Sequence, residues 1–217
     1  CRNLGWRIIN AIDKQTVVTP HGLVAAAALN ISKPRFTQEE LMEAVNAYLA
    51  FATAQNAKLA DTIILNPDGA MEYAIDRYLS RKLLEKATRD KDLPEDQADY
   101  TVNFAKRSLL EFYKNNCISY FVPAAFTALA ILKKDAFQFN AAELHNEYHF
   151  FQDFFKYEFA FDLDRPPVHY VRKTIKSFID DAMLMPHQTI PDSYQITSSG
   201  YRKLKLFAAF LKPYFQS

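Results

Sequence analysis

The sequence predicts a mainly α-helical chain that is built from two tandem repeats with short β strands. One helix start, "FTQEEL" at residues 36–41, returns 103 positions later as "FNAAEL" at residues 139–144. The segments on either side of these two starts recur in the same order, and such ordered self-similarity indicates a duplicated structure. Only four of the 217 residues are glycine, which disfavours a turn-rich β protein.

Each of the two starts combines a helix cap with a hydrophobic staple. Thr37 and Asn140 can accept hydrogen bonds from the first N–H groups of the helix. Glu40 and Glu143 come three residues later and can reach back to the cap N–H, which would complete a capping box. The phenylalanine before each cap and the leucine after each glutamate form the staple.

The other elements are predicted in pairs that keep the same order in both halves. Pro20 and Pro123 each open a short apolar helix, because a proline is tolerated in a first helical turn. The capped helix, a third helix, a short alternating strand and a closing amphipathic helix then follow. The third helices are predicted at 69–87 and 167–185, the strands at 99–103 and 192–197, and the closing helices at 105–116 and 200–212, where Leu109 and Phe112 match Leu204 and Phe207.

Three helices followed by a strand-bearing wing are typical of a winged-helix module, so we predict two tandem winged-helix-like repeats. The first helical repeat is predicted at residues 16–118 and the second at residues 119–217. Residues 1–15 form a separate N-terminal segment, and the charged stretch at 88–99 is a predicted linker.

The composition disfavours several functional classes. The chain has 26 lysines and arginines against 25 aspartates and glutamates. This balance gives no support for bulk attraction to nucleic acid or to anionic lipid. Cys1 and Cys117 make neither a disulfide framework nor a zinc set, and they favour a reducing compartment. No apolar run is long and uninterrupted enough to span a bilayer.

Two histidine patterns resemble functional sites but lack parts that such sites need. His145 and His149 lie one helical turn apart, with Asp153 a further turn on; such a face could bind a metal, but no distant fourth ligand is evident. His187 and Asp192 have the spacing of a dyad in which a carboxylate orients a histidine base, but a proline lies between them. We therefore predict no catalytic residue, no metal site and no cofactor.

An aromatic run at residues 148–162 allows two interpretations. Phe151, Phe154 and Phe155 would share one helix face. Core packing is the usual role of aromatic residues at helical spacing, and a binding face for another domain is the alternative. The basic stretch at 198–215 fits a solvated face, or a helix that faces a partner or a membrane surface.

Four stretches resemble the C-terminal region of the large glycerol-3-phosphate acyltransferases. "IINAIDKQTVVTPHGLVAAAAL" at 8–29 is similar to the segment that directly follows the catalytic domain in that family. "LLEFYKNNCISYFVPAAF" at 109–126, "FFKYEF" at 154–159 and "YQITSSGYRKLKLFAAFLKPYFQS" at 194–217 are similar to later parts of the same region. Together they cover nearly the whole chain, and none is a catalytic signature.

The resemblance implies a role in phospholipid synthesis without a catalytic site in this chain. Such enzymes transfer a fatty acyl group from an acyl-CoA or acyl-carrier-protein thioester to glycerol 3-phosphate. Their catalytic histidine and aspartate lie upstream of the region that is matched here. The implied partner is therefore the upstream catalytic domain of the same polypeptide, and the implied location is the cytoplasm or the cytoplasmic face of a membrane.

The matched stretches also suggest where that partner would bind. Residues 1–15 are expected to lead from the catalytic domain, and Trp6 makes this segment apolar. Tyr113, Lys114, Asn115 and Asn116 come at the end of a predicted helix, where asparagine side chains can bond to a partner's backbone. We predict that Trp6 and this group form a contact surface for the partner domain.

Two other functions fit the same sequence. A tandem winged-helix module could bind another protein or a nucleic acid, although phosphate contacts need clustered lysine and arginine. A helical domain that binds acyl chains or small molecules would account for the 18 phenylalanines and 12 tyrosines.

Overall fold

The computed structural model describes residues 2–13, 15–87, 99–159, 161 and 165–215 of the chain. These residues are mainly helical, and their strands are short and form small sheets. The chain divides into two compact units. We call residues 17–53 and 57–118 the first unit, and residues 1–16, 54–56 and 119–217 the second unit.

Helices and short strands alternate along the chain. Up to residue 115 the elements are α1 (Arg2–Asp13), β1 (Val17–Val18), α2 (Pro20–Asn30), β2 (Arg35–Phe36), α3 (Gln38–Ala54), β3 (Lys58–Leu59), α4 (Asp61–Leu65), α5 (Pro67–Ser80), β4 (Leu84–Lys86), β5 (Tyr100–Val102), a 3-10 turn (Phe104–Lys106) and α6 (Arg107–Asn115). The elements that follow are α7 (Ile118–Lys133), β6 (Gln138–Asn140), α8 (Ala141–Phe154), α9 (Pro167–Asp180), β7 (Leu184–Pro186), β8 (Ser193–Ile196), α10 (Ser198–Ala208) and a 3-10 helix (Ala209–Phe215).

Each unit contains a three-stranded antiparallel sheet with the same spatial order. β5 lies between β2 and β4, and β8 lies between β6 and β7. In the first sheet Tyr100 pairs with Phe36, and in the second Tyr194 pairs with Phe139. The ring centroids of these pairs are 6.4 and 5.9 Å apart. The two predicted strands are therefore confirmed as β5 and β8, each at the centre of its sheet; β1 and β3 form a separate parallel pair.

The first predicted capping box is present, and the second is only half formed. Thr37 Oγ1 accepts from the Glu40 N–H at 3.0 Å, and Glu40 Oε2 accepts from the Thr37 N–H at 3.1 Å. Asn140 Oδ1 accepts from the Ala142 N–H at 2.9 Å. Glu143 instead forms an ion pair with Lys134 at 2.8 Å. The phenylalanines and leucines of both staples are buried.

The helices that correspond to the predicted third helices, α5 and α9, each end at a turn with a residue in left-handed backbone geometry. Lys82 and Ala182 have φ angles of 55° and 52°, in the region that favours glycine. The predicted helices 69–87 and 167–185 are therefore wrong at their ends, because α5 and α9 stop at this turn and the chain continues as β4 and β7.

A matching backbone hydrogen bond holds this turn in both units. The Leu83 N–H donates to the Tyr78 carbonyl at 2.8 Å, and the Met183 N–H donates to the Phe178 carbonyl at 2.8 Å. A bond that spans five residues across a left-handed residue is the closing bond of a Schellman motif. We call these two the corner hydrogen bonds.

A second pair of backbone bonds fixes how the closing helices correspond. The Asn103 N–H donates to the Leu83 carbonyl at 3.0 Å, and the Thr197 N–H donates to the Met183 carbonyl at 3.1 Å. The register predicted for the closing helices was thus one residue out. In the structure Leu110 corresponds to Leu204, and both are buried. Tyr113 corresponds to Phe207: the Tyr113 ring centroid lies 5.5 Å from that of Tyr78, and the Phe207 ring centroid lies 5.3 Å from that of Phe178.

The predicted helix start at Pro123 is also wrong. Pro20 is the first residue of α2, but α7 begins at Ile118 and Pro123 lies inside it. An interior proline removes one hydrogen bond of the helix. Most of α7 is apolar and buried, and this burial offsets the lost bond.

The aromatic run divides between the core and the surface of the second unit. Phe126 of α7 is surrounded by the rings of Tyr148, Phe151, Phe155, Phe159 and Phe161, with centroids 5.4–6.3 Å away. Phe150 and Phe154 are exposed. Phe151 and Phe155 therefore have the expected core role, whereas the prediction that Phe154 shares their buried face is wrong.

Across the part of the chain that the structure describes, no single helix has the length and apolar character needed to cross a membrane. Phe104–Asn115 and Ile118–Lys133 have the length and composition of a membrane span only when they are taken together, and the chain bends by 96° between them.

Gly200 is predicted to be required for the junction between α10 and the second corner. A Cβ at this position would lie 2.0 Å from the Met183 carbonyl oxygen and 2.7 Å from Thr197 Oγ1. Because the first of these atoms is backbone, Gly200→Ala should lower the free energy of unfolding by about 2 kcal/mol, as measured by urea denaturation.

Gly5 supplies the matched control. Apart from its chain neighbours and the backbone of its own helix, no described atom lies within 4 Å of a Cβ built there, and the residue is inside α1. Gly5→Ala should therefore be neutral or stabilising by up to about 1 kcal/mol. Equal stability of the two variants would contradict the close approach at Gly200.

Candidate functional site

The C-terminal end of α6 packs closely on α2, and this contact positions the predicted partner-binding residues. A Cβ at Gly22 of α2 would lie 3.0 Å from Cys117 Sγ and 3.4 Å from the Tyr113 carbonyl oxygen. A side chain at this position would force Cys117 Sγ to move by a few tenths of an ångström. Cys117 is buried and its thiol donates to the Lys114 carbonyl at 3.3 Å. Burial raises the pKa of Cys117 to about 12, so it remains a protonated, structural thiol.

Lys114 lies beneath the surface rather than on it. Its side chain is 1% exposed, and its ammonium group forms an ion pair with Glu111 one turn earlier. Burial lowers the pKa of Lys114, whereas the hydrogen bond and the charge of Glu111 raise it. Glu111 also accepts from Arg107 at 3.2 Å. Lys114 therefore directs its charge to Glu111 within the helix.

The His21 ring lies in an aromatic group on the α2 side of this contact. Its centroid is 6.2 Å from the Tyr73 ring, 5.5 Å from Tyr78 and 5.8 Å from Tyr113. Arg81 donates to the Tyr113 hydroxyl at 3.2 Å. Tyr78 donates its hydroxyl to the His21 carbonyl at 2.7 Å.

The electrostatics around His21 favour a neutral imidazole. Burial is the main cause that lowers the pKa of His21, and the nearby Arg81 and Arg77 lower it further. Among the described residues, no carboxylate forms a hydrogen bond or ion pair with this ring. The arrangement lacks the oriented base that proton-transfer catalysis needs, and it fits a packing role.

The outer side of α6 carries exposed apolar side chains. Leu109 is 51% exposed and Phe112 is 63% exposed. Asn116 is exposed on the same stripe of the helix, since it follows Phe112 by four positions. Asn115 is exposed, and Tyr113 is half-buried. We call Leu109, Phe112, Asn115 and Asn116 the α6 outer surface.

Sequence reasoning did not assign Leu109 and Phe112 to a surface. It matched them to Leu204 and Phe207, both of which are fully buried. The one-residue register difference places Leu110 in the core and turns Leu109 and Phe112 outward. Trp6 lies in α1, but its side chain is outside the part that the structure describes.

The two histidine patterns do not form catalytic pairs within the described structure. His149 Nε2 lies 3.8 Å from Asp153 Oδ2, and both side chains are exposed. His145 is half-buried, and its Nε2 atom is buried without a hydrogen-bond partner. Among the described residues, no group of three or more histidine, cysteine or acidic side chains could hold a metal ion.

His187 is engaged by its own turn. Its Nδ1 accepts from the Thr189 and Ile190 N–H groups, each at 3.2 Å. In the described part of the chain, no hydrogen bond joins His187 to Asp192. The five-residue spacing therefore does not bring a carboxylate to the imidazole.

A family profile described as the glycerol-3-phosphate acyltransferase C-terminal region matches residues 1–217, the whole of the chain. The chain belongs to this family. The resemblance inferred from the sequence motifs is thereby confirmed. A comparison with curated proteins found no match.

Family membership gives the α6 residues a context. In this glycerol-3-phosphate acyltransferase C-terminal region, α6 and the start of α7 make up the matched stretch 109–126. The stretch combines a closely packed inner side, with Gly22 and Cys117, and an exposed apolar outer side, with Leu109 and Phe112. The inner side is explained by packing within the first unit, and the outer side is not.

The Glu111–Lys114 pair should make the stability of this chain depend on Glu111. Glu111→Gln leaves the buried ammonium without its counter-charge, so the free energy of unfolding at pH 7 should fall by about 2 kcal/mol. The pKa of Lys114 is already lowered, and it should fall further in this variant. Because the unfolded state then binds more protons, stability should rise with pH from the lowered pKa up to the ordinary lysine value. Urea denaturation at pH 7 and pH 9.5 measures this rise.

Glu147→Gln is the control, because Glu147 pairs with the exposed Lys133 at 2.8 Å. Glu147→Gln should lower the free energy of unfolding by less than about 1 kcal/mol, and it should add no increase in stability between pH 7 and pH 9.5. An equal effect of both variants would show that Lys114 is not held in a buried pair.

Proposed function

We propose that this chain is a non-catalytic helical domain of a glycerol-3-phosphate, or related glycerolipid, O-acyltransferase, and that it supports the upstream catalytic domain by direct contact. Family membership supplies the enzyme class. The observation that carries the contact is the α6 outer surface, where two large apolar side chains are more than half exposed beside a tightly packed helix junction. Exposed apolar groups clustered in this way are typical of interaction sites.

The chemistry of the α6 outer surface fits a protein partner. Burying Leu109 and Phe112 would stabilise a complex by about 25 cal/mol for each square ångström of apolar area removed from water. Asn115 and Asn116 each carry a carbonyl oxygen and an amide that can bond to a partner's backbone. Tyr113 adds a half-buried ring beside the α6 outer surface. The charge of Lys114 does not reach this surface, because its buried ammonium group pairs with Glu111.

The N-terminal helix supplies a second apolar face to the proposed contact. Leu4, Ile8, Ile9 and Ile12 of α1 are 45–65% exposed. Within the second unit, Tyr120 donates its hydroxyl at 2.8 Å to the carbonyl of Thr16, three positions after the end of α1. We propose that this exposed face of α1 also lies against the catalytic domain, and that Trp6 of the same helix contributes to the contact.

We further propose that residues 16–118 and 119–217 are two winged-helix-like repeats. The shared sheet order, the corner hydrogen bonds and the closing-helix matches support this division. The boundary between Ile118 and Ser119 that separates most of the two compact units supports it as well. Superposition of the two ranges in an experimental structure tests the proposal. It fails if Thr37 and Asn140 do not coincide.

Co-expression of this chain with the catalytic domain of the parent enzyme tests the contact. Phe112→Ser and, separately, Asn116→Ala and Trp6→Ser should reduce copurification. For Phe112→Ser the loss should be roughly tenfold, the effect of removing one central apolar anchor. The melting temperature of the isolated chain should stay unchanged for Phe112→Ser and Asn116→Ala, because both side chains are exposed.

Phe137→Ser is the matched control, because Phe137 is 75% exposed, lies before β6 and belongs neither to the α6 outer surface nor to α1. Equal loss of copurification in this variant, or a loss that tracks thermal stability, would contradict the proposed surface. The isolated chain should transfer no acyl group from acyl-CoA to glycerol 3-phosphate. Turnover that disappears in His187→Ala would contradict the non-catalytic role.

A further inference from the structure

A pocket of about 380 Å³ opens in the second unit beside α8, α9 and the turn before β8. Its polar lining consists of His145, Arg172, Lys176, Asp192 and Tyr194, and two isoleucines of α9 and the start of α8 complete the wall. The volume falls in the range of small-molecule sites. The proposed contact with a catalytic domain uses none of these residues.

Two cationic side chains of the pocket are available to a ligand. Arg172 and Lys176 are exposed and lie one turn apart on α9. Neither forms an ion pair or a hydrogen bond with another described residue. Cations at this spacing on a single helix face can contact the same anionic group.

The His145 imidazole adds an unsatisfied buried atom. Its Nε2 has no hydrogen-bond partner among the described residues, although buried polar atoms are nearly always bonded. Burial and the nearby Arg172 lower the pKa of His145, and Asp192 opposes them. The lowered pKa favours a neutral ring, which still carries one N–H donor.

The N-terminus of α8 is not the source of the proposed affinity. Its first two N–H groups already have acceptors, since Ala142 donates to Asn140 Oδ1 and Ala141 donates to the Asp192 carbonyl, each at 2.9 Å. The proposed affinity for an anion is therefore assigned to side chains. Arg172, Lys176, His145 and the Tyr194 hydroxyl are the groups that can donate to it.

The first unit shows that the fold does not require these cations. Lys82 and Ala182 mark equivalent corners 100 positions apart, so Arg172 and Lys176 correspond to Glu72 and Asp76 of α5. The two helix caps align His145 with Met42. The same frame thus carries two acidic residues and a methionine in one unit, and two basic residues and a histidine in the other.

We propose that the second-unit pocket binds the phosphoryl group of a small phosphate ester. A phosphate offers several oxygens to the donors of Arg172, Lys176 and Tyr194, and two cations near a dianion outweigh the single Asp192 carboxylate. Asp192 can accept a hydrogen bond from an amine or hydroxyl elsewhere on the ligand. Phosphoethanolamine combines both features, and a phospholipid headgroup is the other source of the same chemistry.

Titration of the whole 217-residue chain with inorganic phosphate, with phosphoethanolamine and with vesicles that contain phosphatidic acid tests the proposal. Chemical shifts of the Ala142 and Tyr194 amides report on the pocket. Both soluble probes should bind saturably, phosphoethanolamine more tightly, and Asp192→Asn should remove that difference. Saturation by vesicles alone would assign the phosphoryl group to a lipid headgroup.

The double variant Arg172→Glu and Lys176→Asp introduces the acidic residues that the first unit has at the corresponding positions, Glu72 and Asp76. It should weaken binding of the soluble probes at least tenfold. Arg202→Glu with Lys212→Asp makes the same charge change on exposed residues of the same unit and should change affinity by less than twofold. His145→Met should also weaken binding. Absence of saturable binding to all three probes, or equal losses in the pocket and control variants, would overturn the proposal.

Discussion

The corner at the end of α5 and of α9 is the constraint on which each unit depends. Lys82 and Ala182 adopt left-handed geometry, which costs about 1–2 kcal/mol for a residue with a side chain. The corner hydrogen bonds and the burial of Leu83, Leu84, Met183 and Leu184 offset this cost. The turn sends β4 or β7 back along the central strand, and the bond from Asn103 or Thr197 then fixes where the closing helix begins. Without the corner, nothing would fix the position of the third strand of the sheet or the start of the closing helix.

Two units with this common frame present different surfaces. In the first unit the closing helix α6 packs against α2 through Gly22, and its register turns Leu109 and Phe112 to solvent. In the second unit Leu204 and Phe207 are buried, and basic residues of α9 line a pocket instead. The shared backbone bonds support stability in both units. The side chains outside that frame carry the proposed functions, a contact surface for a catalytic domain in one unit and a phosphoryl site in the other.

Local signals were enough to predict much of the frame. The caps at Thr37 and Asn140, the central strands and the burial of Phe151 follow from hydrogen-bonding groups and periodicity within a few residues. The ends of α5 and α9 were not predicted because Lys82 and Ala182 occupy the turn position where a glycine is the usual sequence signal. The helix start at Pro123 was predicted wrongly because the tertiary burial of α7 overrides the preference of proline for a first turn. The burial of Lys114, the exposure of Phe112 and the convergence of His145 with Arg172 depend on register and on contacts between distant segments, which no short stretch of sequence encodes.

Hydrogen exchange of the Leu83 and Met183 amides tests the central role of the corner most directly. Amides whose bonds break only when a cooperative unit opens exchange far more slowly than those of exposed turns. If the corner holds each unit, both amides should be as strongly protected as those in the middle of α2 and α7, although both lie just outside a helix. Exchange of either amide at the rate of an unfolded peptide, while the helices stay protected, would show that the unit stands without its corner.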